Sequence, residues 1–216
     1  MMNVVRGRKT EQFDLSALQA AIPPSAHVVV DLGTGDGRWA YRYAAEHPAQ
    51  FVIAIDPVAE NLREISGKAA KKPGKGGLGN LLFVMASVEM LPDELNGIAD
   101  EVYVTLPWGS LMRGLALAEA GVLAGVASLA KHGATVRIVL NTRIFDDPVP
   151  NDVRDLPELS PEYARDVLGP AYAAAGLRIA ARWMDADEVA LIGTTWAKKL
   201  SHNRPPRSLC IVAERT

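Results

Sequence analysis

Read from its residues alone, the chain should fold as an α/β protein: a mostly parallel, seven-stranded sheet with helices on both faces, plus a small N-terminal hairpin. Three features point there. In Val28-Val29-Val30-Asp31-Leu32-Gly33-Thr34-Gly35-Asp36-Gly37-Arg38, three β-branched residues and an acid lead into Gly-x-Gly-x-Gly. The apolar spacing then changes from strand-like to helix-like through Trp39, Tyr43 and Ala44. Short apolar runs alternate with helix-period segments along most of the chain, as they do where parallel strands are joined by right-handed crossovers. Finally, the last apolar run follows its predecessor with little helix between them, which predicts an antiparallel strand at the sheet edge.

In chain order, residues 3–5 and 10–13 flank Arg6-Gly7-Arg8-Lys9 and read as a hairpin with Gly7 in the turn. Leu15, Leu18, Ala21 and Ile22 mark an amphipathic helix stopped by Pro23-Pro24. The first core strand is 28–32, with its helix from about 37 to 46; the second is 51–55, with a helix over 58–71 whose Leu62 and Ile65 face inward. Lys72-Pro73-Gly74-Lys75-Gly76-Gly77-Leu78-Gly79, with one proline and four glycines, cannot continue that helix and must be a loop. Strands follow at 81–85 and 101–106, apolar helices at 110–118 and 122–130, and a strand at 135–140. Ser160-Pro161 opens a helix, with serine at the N-cap and proline in the first turn; Gly176 closes the helical region. Strands at 177–183 and 209–213 complete the sheet.

At 216 residues the chain is read as a single domain over 1–216, with the hairpin 1–13 as an extension, large enough to bury a full sheet between helices. Apolar residues make up 49% and charged residues 22%, and no apolar run reaches signal-peptide or membrane-spanning length. The single Cys210 excludes an internal disulfide framework, and a cytoplasmic protein is the simplest reading. Net charge is −2, which on the average asks for no polyanionic partner, but the charges are sorted. Lys68, Lys71, Lys72 and Lys75 form one cluster free of acids, Lys198, Lys199, Arg204 and Arg207 a second, and Arg6, Arg8 and Lys9 a third. On one face, these could track a nucleic-acid backbone.

The glycine turn lets a ligand approach backbone closely and leaves helix N–H groups free behind it. A dinucleotide fingerprint would place a third glycine where Arg38 stands. Asp31, just before the turn, pairs with a cationic amine and repels phosphate, so the ligand is inferred to be S-adenosylmethionine. Asp56, 21 positions beyond Gly35 at the tip of the second strand, can accept from both ribose hydroxyls.

A second constellation sits at the end of the 101–106 strand: Thr105-Leu106-Pro107-Trp108-Gly109-Ser110. Ligands of open α/β sheets bind beyond the carboxyl ends of the strands, so Trp108 should overhang the same crevice as Gly33 and Asp56. Thr194-Thr195-Trp196-Ala197-Lys198-Lys199 places another tryptophan beside two lysines, and the two rings are read as a clamp for an extruded base. An exocyclic amine target would want Asp or Asn ahead of Pro107-Trp108, where Leu106 stands; a ring nitrogen already exposes its lone pair and needs placement only. No acid–base residue and no metal are therefore expected, and His27, His47, His132 and His202 show no metal-ligand spacing.

These motifs resemble those of the aminoglycoside-resistance 16S rRNA methyltransferases that modify N1 of adenine 1408. The likeness extends from near residue 3 to about residue 213 and is carried by Asp31–Arg38, Ile55-Asp56-Pro57-Val58, Glu60-Asn61-Leu62, the lysine-glycine loop from Lys71 to Leu78, Pro107-Trp108-Gly109-Ser110-Leu111 and Trp196-Ala197-Lys198-Lys199-Leu200. The resemblance implies a Rossmann-like class I methyltransferase sheet. It implies that Asp31, Gly33, Gly35, Asp56, Glu89, Leu106, Ser110 and Thr194 hold S-adenosylmethionine, and that Trp108 and Trp196, with Pro107, place the base. It further implies that Lys68, Lys71, Lys72, Lys198, Lys199, Arg204 and Arg207 contact 16S rRNA of the 30S subunit, with the protein acting as a cytoplasmic monomer. Methylation of another RNA base, such as a tRNA guanine, methylation of a small molecule, and an RNA-binding module with a relic pocket are the alternatives.

Overall fold

The computed structural model describes residues 1–142, 155–193 and 208–216. Among these residues nine strands are formed: β1 (Met2–Arg6), β2 (Lys9–Phe13), β3 (His27–Leu32), β4 (Gln50–Asp56), β5 (Leu81–Met85), β6 (Ala99–Thr105), β7 (Ala130–Asn141), β8 (Leu177–Met184) and β9 (Ser208–Arg215). They lie in the order β2-β1-β5-β4-β3-β6-β7-β9-β8. Helices α1 (Leu15–Ala21), α2 (Arg38–Glu46), α3 (Ala59–Ala69), α4 (Gly109–Ala116), α5 (Ala120–Leu129), α6 (Pro161–Tyr163), α7 (Gly169–Ala174) and α8 (Ala186–Ile192) connect them, with a π turn at Ala164–Leu168 between α6 and α7.

The period-2 alternation of the strands divides the core between two sheet faces. Val28, Val30 and Leu32 of β3 with Phe51, Ile53 and Ile55 of β4 pack toward α1, α4, α5 and α7, while Val29, Val52 and Ala54 pack toward α2 and α3. On that second face, a smaller cluster of Leu106, Val139, Cys210 and Val189 seats α8. Leu62 and Ile65 are buried, as the helical pattern of α3 requires.

Three expectations are corrected. The hairpin is no separate appendage: β1 pairs antiparallel with β5 through Asn3↔Met85 and Val4↔Val84, so the sheet has nine strands, not seven. Met2, Val4 and Val5 are buried, and β1 thereby covers what would otherwise be an open edge of β5. Nor is the last strand at an edge. β9 is inserted between β7 and β8 and runs antiparallel to both, leaving β8 outermost. The physical reason lies in its composition: Leu209, Cys210, Ile211 and Ala213 are all buried, an unbroken apolar run that suits a strand covered on both sides. With four parallel and four antiparallel pairings, the sheet is mixed instead of mostly parallel. Among the described residues no single helix is long and apolar enough to cross a membrane.

Candidate active site

β3 ends at Leu32, and the chain turns through Gly33, Gly35 and Gly37, all at positive φ, into α2. Gly33 and Thr34 donate their N–H groups to the carbonyl of Ile55 at 2.8 and 2.9 Å, and Gly35 donates to Asp56 Oδ2 at 2.9 Å. A Cβ on Gly33 would lie 2.6 Å from Leu111 Cδ2, whereas one on Gly35 would meet nothing within 4 Å and would project into open space. Gly33 holds a positive φ of 74° with the tip of Leu111 against it, and Gly35 keeps the crevice wall bare.

Two buried carboxylates flank the turn. Asp56, at the end of β4, also accepts at Oδ1 from the backbone of Val58 (3.0 Å) and from Asn61 Nδ2 (3.1 Å), which ties the starts of α2 and α3 to one side chain. Asp31 is only 3% exposed and accepts from the Thr34 hydroxyl. Burial pushes its carboxyl up to about 7; the Thr34 hydrogen bond opposes this, and the nearby charges of Asp56 and Asp36 add to it. A carboxylate so placed favours a cation brought beside it.

The opposite wall comes from β6. After Thr105, Leu106 takes a positive φ of 50° while buried, its N–H held by the Val139 carbonyl at 2.8 Å. Such a backbone is strained in a residue with a Cβ, and it swings Pro107 and Trp108 over the carboxyl end of the sheet. Trp108 is the N-cap of α4 and is 39% exposed, so its ring is not interred in the core.

Together these residues enclose a crevice of about 600 Å³. Of the sequence-derived candidates, Asp56, Gly33, Gly35, Leu106, Pro107, Trp108 and Ser110 line it, and Asp31 lies beneath its glycine turn. Glu89 is on the short turn Val88–Met90, exposed, and is not among the lining residues. Thr194, Trp196, Lys198, Lys199, Arg204 and Arg207 fall outside the described residues. Lining residues that sequence reasoning left without a role include Thr34, Trp39 and Asn61. Trp39 stacks on Tyr43 with ring centroids 5.0 Å apart, and its position two residues after the last glycine was the available signal. Among the described residues no group of three or more His, Cys, Asp or Glu side chains could hold a metal ion.

Lys68 is in the last turn of α3, its ammonium 4.2 Å from the Tyr41 ring centroid, and Lys71 and Lys72 are exposed just beyond. α3 begins at the crevice near Asn61 and carries these lysines to its far end, about 16 Å away at 1.5 Å per residue.

Fold and crevice define the class: an α/β protein that takes a nucleotide-like ligand beyond the carboxyl ends of its parallel strands, at the point where the strand order reverses. Residues 3–215 match the family model of NpmA, 16S rRNA (adenine(1408)-N(1))-methyltransferase, and the chain belongs to that family. It is 37% identical over 204 residues to the 16S rRNA (adenine(1408)-N(1))-methyltransferase of Streptoalloteichus tenebrarius, covering 94% of each chain. With the Escherichia coli protein of the same name it shares 38% identity over 208 residues, again 94% of each chain. The crystal structure of a tryptophan-to-alanine mutant of the Catenulisporales acidiphilia enzyme with cosubstrate SAM superposes with a TM-score of 0.93 at 38% identity, covering 100% of this chain and 97% of that one.

Proposed function

We propose that this protein transfers a methyl group from S-adenosylmethionine to N1 of adenine 1408 of 16S rRNA, in the assembled small ribosomal subunit, and so confers aminoglycoside resistance. The observation that carries the reading is one crevice lined by Gly33, Gly35, Asp56 and the partly exposed Trp108, with Asp31 buried beneath its glycine turn. The residues present fit the cosubstrate. Asp31 offers a buried carboxylate to its amine, Gly35 leaves room against the backbone, and Asp56, already accepting three hydrogen bonds, stands at the strand tip where a ribose would lie.

When bound, S-adenosylmethionine supplies an electrophilic methyl on a sulfonium. The chain's own task is orientation. Adenine N1 carries a lone pair and needs no general base, so Trp108, aimed by the strained Leu106-Pro107 turn, holds the extruded purine in line. Positive charge that develops on the ring is stabilised across the indole face. Trp196 is assigned the second face of the clamp, and Lys68, Lys71 and Lys72 contact rRNA. The enzyme acts as a monomer in the bacterial cytoplasm.

Primer extension on purified small subunits tests this. Incubation with protein and S-adenosylmethionine is expected to produce a reverse-transcription stop at adenine 1408, because N1 methylation blocks base pairing. A stop at another position, or none, refutes the target.

A further inference from the structure

Among the described residues, most lysines and arginines are neutralised by a neighbour. Among the described residues, each one outside residues 6–75, and Arg38, Arg42 and Arg63 within them, meets a carboxylate, a backbone carbonyl or, for Arg137, the ring of Tyr103. The exceptions are Arg8, Lys9, Lys71, Lys72 and Lys75, all exposed and all without such a partner, whereas Arg6 pairs with Glu11 at 3.4 Å. They come from two stretches more than sixty residues apart in sequence, and the fold brings those stretches together.

The junction is built from small groups. Gly7, in the β1–β2 turn at a φ of 63°, donates its N–H to Ser66 Oγ at 2.9 Å, and a Cβ on Gly67 would lie 3.2 Å from Gly7 Cα. Backbone thus packs on backbone where the hairpin tip meets the last turn of α3. Arg8 follows Gly7, and Lys68 follows Gly67. Arg6, Ser66, Lys71 and Pro73 line one cleft of about 300 Å³ between the two.

Unpaired cations held side by side repel one another, an arrangement that is stable in isolation only because solvent screens it and that a polyanion would favour. We infer that the hairpin tip, through Arg8 and Lys9, forms with the Lys71–Lys75 loop a single phosphate-gripping surface for a folded segment of rRNA separate from the target nucleotide. The separation follows from α3, whose length places this surface about 16 Å from the crevice. It therefore anchors the substrate and does not orient the base. The inference rests on the rRNA reading above.

The test is the salt dependence of binding to purified small subunits. Each phosphate contact contributes about 0.7–0.9 to the slope of log K against log salt, so Arg8→Ala/Lys9→Ala should lower the slope by about 1.4–1.8. Raising salt from 50 to 200 mM should then weaken the wild type about tenfold more than the variant. KM for subunits rises, while kcat, S-adenosylmethionine affinity and melting temperature hold. Gly67→Val, which keeps every charge but pushes the tip away, should raise KM as well. An unchanged slope in Arg8→Ala/Lys9→Ala beside a lowered slope in Lys71→Ala/Lys72→Ala overturns the hairpin's role and leaves the rRNA reading standing. If neither pair alters the slope and adenine 1408 is not methylated, the rRNA reading itself fails, and this inference with it.

Discussion

Asp31→Asn should make the ligand-free protein more stable and the enzyme useless. The native carboxyl keeps its proton up to a pH of about 7, mainly because it is buried, while an unfolded aspartate releases it near 3.8. Between those values the native state binds more protons than the unfolded one, so stability falls as pH rises. At 1.36 kcal/mol per unit, the charged carboxylate costs the wild type about 4 kcal/mol at pH 8. Asparagine has the same shape and does not titrate; its amide can still meet the Thr34 hydroxyl. The stability difference between variant and wild type should therefore widen by about 2–3 kcal/mol from pH 5 to pH 8, or roughly 5–10 °C in melting temperature for a chain of this size. Every other titrating group is common to both proteins and cancels. Calorimetry completes the test, since the variant should lose S-adenosylmethionine affinity, and wild-type affinity should fall as pH drops below 7 because the ammonium needs the ionised carboxylate. A melting difference that does not change with pH, or a variant less stable at pH 8, would refute a buried charge held ready for a cation.

Other substitutions separate placement from packing. Trp108→Ala should cost about 1–3 kcal/mol of transition-state stabilisation, the scale of one base stack, with little change in cofactor affinity; an equal loss of cofactor binding by calorimetry would make the ring structural. Gly35→Ala, which adds a methyl where no atom lies within 4 Å, should fold with a modest backbone penalty of about 1–2 kcal/mol yet bind cofactor weakly. Gly33→Ala incurs a similar backbone penalty and also strikes Leu111, so its loss in urea melts should be the larger by about 1–3 kcal/mol. Arg42 donates to the carbonyls of Ile192 (2.6 Å) and Gly193 (2.8 Å) at the end of α8. Arg42→Met should lower stability by about 1.5–3 kcal/mol and reduce methyl transfer more than cofactor binding, as measured by single-turnover assay and calorimetry.

How much of this was legible in the sequence depends on the distance over which each feature is encoded. The glycine turn, Asp56 at its strand tip and the Pro107-Trp108 step are each local patterns, and the sheet then brings their elements together in a way that holds for any open α/β fold. The strain at Leu106 is invisible in the sequence, because nothing about a leucine announces a positive φ; in the fold it coincides with the Val139 carbonyl, on the neighbouring strand β7, accepting from its N–H. The fusion of the hairpin to β5 was missed because only two residue pairs make it. Adjacency in sequence points β9 to the edge, whereas its unbroken apolar run argues for a covered strand, and the fold follows the second signal.

That insertion has a consequence for the site. A strand antiparallel to β7 starts where β7 ends: Ser208 is opposite both Asn141 and Met184, at the carboxyl rim of the sheet. The connection from α8 to β9, which carries Trp196, is therefore anchored at Ser208 on the rim and at Gly193 by Arg42. Arg42 is one helical turn beyond Arg38 and Trp39, which line the crevice, so the described end of the connection at Gly193 is tied to the helix that forms one crevice wall. Had β9 run parallel, its start would lie at the opposite edge and the connection would have to cross the whole height of the sheet. The antiparallel insertion thus keeps both ends of a long, tryptophan-bearing connection near the side of the molecule where Trp108 stands.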